Sequence, residues 1–315
     1  MSSNSASSTI AKSIIFLVAF GLFLFLLYWL WQRQPKTELQ KKVENKIETV
    51  QSALEPKDES NIDPPPGSVL SEKEIKIRGK SSPDSYIIVN SDSTQEITTS
   101  GPEGTFEVAF KPGNGLNQIE IIALAKKDLK ETNRLSVEYY LKNDKEKLDS
   151  KSFVYSGPVK TIFDTLLSIN TENGEKKIQT KKSTEFVFPD NEEEKSPTAS
   201  ALSGVRIGDF AIALGTIDKE KLMGAQKLAI LRDNKPQINK KFAAVKILKD
   251  PRLNLVSAAN LNDNKLIEIT INKTTDITSN DKDGTAKDIS KDKKAIVIFE
   301  KEGDKNLADL VYLLP

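Results

Sequence analysis

From Ile14 to Trp31 the chain reads IIFLVAFGLFLFLLYWLW, an apolar run that no charge interrupts. At ~1.5 Å of rise per residue, a helix over this run just crosses a hydrocarbon core. A secretory signal would need a basic start, a short apolar centre and a small-residue cleavage site. Here the start carries only Lys12, and the run exits through Tyr28-Trp29-Leu30-Trp31 into Gln32-Arg33-Gln34-Pro35, with no Ala-x-Ala-like site. The sequence therefore predicts a polar tail over 1–13 and an uncleaved transmembrane helix over 14–31. Tyr28, Trp29 and Trp31 suit a headgroup interface, so membrane lipid is the first expected partner.

The side of the membrane is contested by two signals. Lys12 precedes the run, whereas Arg33, Lys36, Lys41, Lys42 and Lys46 follow it. By the positive-inside rule, that asymmetry alone puts the remainder of the chain inside the cell. The modules described below are of a kind typical of exported surfaces. On that ground the expected location is the cell membrane, single-pass, with the bulk of the chain extracytoplasmic.

A juxtamembrane helix and a Pro-rich linker are expected over 32–68. Leu39, Val43, Ile47, Val50 and Leu54 recur at three- and four-residue steps and form one narrow helical stripe. The stripe supplies about two heptads, fewer than a stable coiled coil needs, so only weak self-association through the stalk is expected. Glu55 to Ser68, with Pro64-Pro65-Pro66, reads as an extended, proline-stiffened spacer.

At Val69 the hydrophobic period changes from helical to two. Strands are predicted over Glu74–Arg78, Ser85–Ser91, Gln95–Ser100, Thr105–Lys111, Gln118–Lys126 and Arg134–Leu141, each rich in β-branched or aromatic residues. Ser82-Pro83, Gly101-Pro102-Glu103-Gly104 and Pro112-Gly113-Asn114-Gly115 punctuate them as turns. Short strands at this spacing predict a small β-sandwich over 69–142. The ordered set Ile77-Arg78-Gly79, Pro83, Tyr86-Ile87-Ile88-Val89-Asn90, Gly104-Thr105-Phe106 and Gly115-Leu116-Asn117-Gln118-Ile119 resembles bacterial Ig-like domains of the glucodextranase B-domain type. That resemblance covers about a quarter of the chain. It implies a spacer or adhesion module without catalytic residues.

After a polar joint at Asn143–Ser152 the chain repeats itself over 151–233 and 240–315. Ser183-Thr184-Glu185-Phe186 echoes Thr274-Thr275-Asp276-Ile277, and Val159-Lys160-Thr161-Ile162 echoes Val245-Lys246-Ile247-Leu248. The strand from Asp209 to Leu214 parallels Asp292 to Ile298, and Ala225–Leu231 parallels Ala308–Leu313. Each copy carries a polar insertion at the same place, Pro189–Ala201 and Ser279–Ser290. Shared order and spacing argue for duplication and for a repeat that folds as its own unit. Gly157-Pro158-Val159, Ser183-Thr184 and Ile207 to Gly215 resemble an uncharacterised bacterial family of small OB-like barrels found in envelope proteins. The second copy pairs Lys291-Asp292 with Gly208-Asp209. The expected fold class is mainly β: one transmembrane helix, an Ig-like sandwich and two tandem OB-like barrels.

The chain has no His and no Cys, so Ser–His triads, thiol nucleophiles and the usual zinc sites cannot be built. Gly79-Lys80-Ser81 resembles the end of a phosphate loop, but Glu74 stands where its first glycine belongs. Asn280-Asp281-Lys282-Asp283-Gly284 resembles half a calcium loop, but Ser279 and Ser290 occupy its outer ligand positions. A carboxylate pair could in principle hydrolyse a glycoside, yet no two carboxylates stand out. Mixed charge, with a net of +1, gives no nucleic-acid footprint. Catalytic, cofactor and metal residues are therefore expected to be none, with no nucleic acid among the partners. The expected function is non-enzymatic binding, adhesion or scaffolding in a bacterial envelope, toward another envelope protein or a surface polymer. An accessory subunit of a membrane export or assembly complex is the alternative, and a carboxylate-based hydrolase ranks last.

Overall fold

The structure, a computed structural model, describes residues 61–149, 151–189, 201–232, 236–279 and 282–315. The tail, the transmembrane helix and the stalk predicted over 1–54 lie outside the described residues. Among the described residues no helix is long and apolar enough to cross a membrane. The described residues belong to a compact unit running from Lys57 to Pro315.

A sandwich comes first. Strands β1 (Val69–Leu70), β3 (Ser85–Ser91), β4 (Gln95–Thr99), β6 (Gly115–Ala125) and β7 (Glu131–Leu141) form one sheet in the order β1-β7-β6-β3-β4. Strands β2 (Ile75–Lys80) and β5 (Thr105–Phe110) form the facing two-stranded sheet. The six strands read from the period-two pattern are these, β1 aside, with ends that move by a few residues. Their inward positions, Ile77, Ile87, Val89, Phe106, Phe110, Ile119, Ile121, Val137 and Tyr139 among them, close a single core. Gly79 has a packing reason: a Cβ there would come within 2.6 Å of the Ile62 side chain and the Phe106 ring.

Residues 61–68 depart from the spacer reading. Asp63 bridges to Arg78, Ile62 is buried in the sandwich core, and Tyr139 donates its hydroxyl proton to the Pro64 carbonyl at 2.7 Å. The prolines carry no amide hydrogen, so the backbone bonds fall on their neighbours: Gly67 N–H donates to Glu138 O at 2.7 Å, and Val154 N–H donates to Gly67 O at 2.6 Å. The joint at 143–152 is likewise packed. Glu146 accepts from Lys227 Nζ at 2.5 Å and from Tyr140 Oη at 2.8 Å, while Leu148 is half-buried against the seam.

Two closed five-stranded, OB-like barrels follow, each with a short sixth strand. The first comprises β8 (Phe153–Phe163), β9 (Leu166–Thr171), β10 (Gly174–Gln179), β11 (Glu185–Val187), β12 (Phe210–Ile217) and β13 (Leu222–Leu231). Its order is β10-β9-β8-β12-β13-β11, and parallel pairing of β10 with β13 closes it. The second comprises β14 (Lys241–Ile247), β15 (Leu255–Asn260), β16 (Leu266–Thr270), β17 (Asp276–Ser279), a short β18 (Lys282–Asp283), β19 (Lys294–Glu302) and β20 (Lys305–Leu313). Its order, β16-β15-β14-β19-β20-β17, is the same, and β16 closes in parallel on β20. Closure pairs strand edges that an open sheet would leave free.

Equivalent atoms make the same bonds in both copies. Thr184 Oγ1 donates to Ala225 O at 2.7 Å, and Thr275 Oγ1 donates to Ala308 O at 2.8 Å. The fourth and fifth strands slip register at matching points, Leu214/Gly215 and Ile298/Phe299. One alignment needs correction. Gly208 N–H donates to Val159 O and Asp292 N–H donates to Ile247 O, both at 2.9 Å. Gly208 therefore matches Asp292, not Lys291, and Val159 matches Ile247, not Val245. Because strand faces alternate, a one-residue slip would have put the fourth strand's core side outside.

Both barrels dock onto the sandwich with the same face. Phe210, Ile212 and Leu214 point out of the first barrel and pack with Val69, Leu116 and Tyr140. Their counterparts in the second barrel, Ile296 and Ile298, pack with Tyr86, Ile88, Ile122 and Leu124, and Tyr86 meets Tyr312 edge-on at 5.9 Å. None of the five apolar clusters joins one barrel directly to the other. The repeat, expected to fold alone, thus depends on the sandwich to cover two apolar faces. Removing residues before 151 should leave a protein that binds hydrophobic dye and self-associates, unlike residues 57–315. A monomeric, dye-silent fragment would show that these faces tolerate water. Ile122→Ala in residues 57–315 should lower unfolding free energy in urea by about 2–5 kcal/mol, the range for a large-to-small change in a packed site.

Candidate binding cleft

The outer face of the large sheet alternates along β6 as Leu116, Gln118, Glu120, Ile122, Leu124. Its two ends are apolar and lie under the two barrels. The middle is polar, and Ser136 and Glu138 on the neighbouring β7 extend it sideways. This strip floors a cleft of 530 Å³, walled by Ser156–Pro158 and Asn170 of the first barrel and by Pro236–Ile238 between the barrels. Phe210 lines one side, and Glu172 reaches it from the β9–β10 turn.

Glu138 is the buried acid of the cleft. Ser156 Oγ donates to its Oε1 at 2.6 Å, across the seam between sandwich and barrel. Burial pushes its carboxyl up to about 7; the hydrogen bonds from Ser156 and Gln118 pull the other way, and the Glu172 charge adds to the rise. The same position in the second barrel is Ala244, since Ser156 pairs with Ile212 as Ala244 pairs with Ile296. The polar strip therefore meets a hydroxyl in one copy, and the apolar patch meets a methyl in the other. Glu120 accepts from Arg134 Nη1 at 2.8 Å, and that guanidinium also bonds Glu131 and lies over the Phe242 ring at 5.5 Å. A smaller cavity of 60 Å³ shares Ser136, Glu138 and Glu172 on the other side of the seam.

Such a cleft can accept hydrogen bonds and hold a positive or hydroxyl-bearing group. Among the described residues, no three of His, Cys, Asp or Glu cluster as a metal site. A depression of 570 Å³ beside the two-stranded sheet is lined by Arg78, Phe106 and Glu107, but Lys76 and Arg78 are already paired with Glu107 at 2.6 and 2.7 Å.

The motifs set aside in the sequence fall elsewhere. Gly79-Lys80-Ser81 ends β2, at the depression on the far sheet, and Gly284 N–H closes on Ile277 O at 2.7 Å in the half calcium loop, whose residues 280 and 281 lie outside the described residues. Glu138 was not singled out from sequence. The available signal was the pair of polar outward positions, Gln118 and Glu120, between apolar ones on one strand face.

No protein-family model matches the chain, and no curated protein matches it. Three solved structures are similar over much of its length. Cold-shock domains four to six of Drosophila Unr share 12% identity, covering 75% of this chain and 98% of that one, with a TM-score of 0.20. A multidomain Streptococcus pneumoniae protein with nucleic acid binding domains shares 13% identity over 73% of each chain, with a TM-score of 0.15. A bacterial ice-binding adhesin concerned with host cell surface retention shares 9% identity over 78% of this chain and 92% of its own, with a TM-score of 0.17. Scores this low carry no argument about fold or function.

Glu138 makes a pH prediction with a definite sign. Its ordinary value is 4.5 and its folded value about 7, so between these the folded protein binds more protons than the unfolded chain. Stability from this group is full below pH 4.5 and lost as pH rises through 7. Glu138→Gln should remove that slope from a pH series of urea titrations, a change of up to about 3 kcal/mol between pH 4.5 and 7.5. Parallel profiles for the two proteins would mean the carboxyl is not buried as described.

Proposed function

We propose that this chain is a membrane-anchored, extracytoplasmic and non-enzymatic binding or scaffold protein of a bacterial envelope. One observation carries the reading: the sandwich is cemented to both barrels through continuous apolar clusters, so three modules make one packed body. Such a body suits holding and presenting surfaces, and the apolar run over 14–31 suits holding it at a membrane. The sandwich, with its five-stranded and two-stranded sheets, supports the Ig-like reading of 69–142. The polar cleft between the barrels is the contact we assign to a partner protein or surface polymer.

Nucleic acid is left out of this proposal for a physical reason. OB-type barrels bind single strands on the face of their second and third strands, using aromatic stacking and positive charge. In the first barrel, alternation turns Ser168, Asn170, Glu175, Lys177 and Gln179 to that face, and Lys160 is already paired with Glu175. An accessory subunit of an export or assembly complex is the second reading, favoured by the same packed body.

The chain has no native Cys, so Glu103→Cys in the exposed β4–β5 turn gives one addressable thiol. In intact cells a membrane-impermeant maleimide should label it without permeabilisation. Labelling only after lysis, with an extracytoplasmic control already modified, would put the modules in the cytoplasm and end the surface reading. Purification of the full chain in mild detergent distinguishes the two readings, because a subunit should bring a stoichiometric partner.

A further inference from the structure

Seven large apolar side chains are exposed among the described residues, and four of them sit in the first hairpin of a barrel: Phe163, Leu248, Leu253 and Leu255. The two most exposed of all are one from each copy, Phe163 at 79% and Leu253 at 101%. Their positions are offset by one residue, Leu253 matching Asp164 and Phe163 matching Arg252, as the tie to each barrel's third strand shows. Thr180 N–H donates to Thr165 O in the first barrel, and Ile271 N–H donates to Asn254 O in the second, both at 2.8 Å. Thr180 and Ile271 each lie four residues before the matched threonines, Thr184 and Thr275. Each hairpin thus carries one exposed apolar side chain near its tip, Phe163 two residues and Leu253 one residue before the residue that ties it to the barrel's third strand.

Two physical costs make these knobs unlike ordinary surface residues. A fully exposed Leu forgoes its burial energy, and Leu253 also adopts a φ of 50° beside Asn254 at 66°, a region bulky side chains rarely occupy. Asp164 at the other tip has φ 53°. Both tips carry mixed exposed charge, with Asp164 at the first and Asp250 near the second among more numerous cations. Lys181 and Lys182 follow directly on Thr180 at the first tip and are exposed, as are Lys249, Arg252 and Lys273 around the second. Asp250, also exposed, accepts from the backbone N–H of Lys291 at 2.8 Å.

We propose that the first hairpins of the two barrels are lipid-contacting loops, which insert Phe163 and Leu253 into an anionic membrane surface while the flanking lysines and arginine meet the headgroups. A lipid surface fits better than a protein, because single projecting side chains need no matching pocket there and gain from basic neighbours. This contact is separate from the anchor over 14–31 and can be measured without it.

Residues 57–315 contain no Trp, since both lie at positions 29 and 31. Leu253→Trp in that unit therefore places one fluorophore at the knob. Its emission should shift to the blue on adding phosphatidylcholine vesicles that contain phosphatidylserine, and should shift much less with pure phosphatidylcholine or in high salt. In a flotation assay, Phe163→Ser and Leu253→Ser should each lower partitioning by about tenfold. Both substitutions are on exposed side chains, and an unchanged urea midpoint shows that the fold is kept. Equal binding to neutral and anionic vesicles overturns the assignment, as does binding unaffected by the two serines. No binding to either vesicle, with sedimentation showing a dimer that Leu253→Ser dissolves, would assign the knobs to self-association instead.

Discussion

Burial of both faces of one β-sheet is the constraint on which the described body depends. Every residue of β3, from Ser85 to Ser91, is buried. Ile87 and Val89 face the sandwich core while Tyr86 and Ile88 face the second barrel. Each fully buried side chain of this size contributes about 1.5–3 kcal/mol relative to exposure, so the outer face contributes on the scale of a small core. The inner face makes a sandwich, and the outer face makes an assembly. The same logic holds on the barrel side, where β12 buries Ala211 and Ala213 inward and β19 buries Ala295, Val297 and Phe299 inward, while Ile212 and Ile296 are buried on the outward face. Duplication preserved that face, so both copies attach by it.

Polarity then decides what remains open. The sheet's outer face is apolar at two ends and polar between, and two barrels that cover the ends leave the middle as a cleft. Desolvation of Glu138 at the edge of that cleft is offset in part by Ser156 and Gln118, and its carboxyl stays close to half-protonated near neutrality. The second barrel offers no hydroxyl at the position matching Ser156, because Ala244 stands there. The two interfaces thus differ in kind: one is an apolar contact, the other an apolar contact with a titrating margin. Glu146 shows the opposite balance at the same seam. Burial opposes its ionisation, but hydrogen bonds from Lys227 and Tyr140 outweigh that and hold its carboxyl below the usual range.

Much of this was legible in the residues themselves. Period-two alternation located the sandwich strands to within a few positions, since a half-buried strand must alternate whatever it packs against. The threonines Thr184 and Thr275 and the alanines Ala225 and Ala308 marked the repeat by their order and spacing, and each pair makes the same bond to its barrel's last strand. Absence of His and Cys excluded His- and Cys-based sites from composition alone. Local pattern fell short where contacts cross long distances. The prolines at 64–66 read as a spacer, yet the flanking Ile62 and Gly67 tie them to the core and to the first barrel.

The sequence by itself determined strand positions, the duplication and the list of available chemical groups, because alternation, turn residues and composition act over a few neighbours. Only the tertiary structure decided which sheet face would be covered twice, that both barrels would use their fourth strand to cover it, and that Glu138 and Glu146 would both be drawn into the seam with the first barrel. Those outcomes depend on pairs such as Ile122 with Ile296 and Glu138 with Ser156, which meet because whole modules dock. Burial and the shifted ionisation that follows from it are properties of that docking, and no window of neighbouring residues contains them.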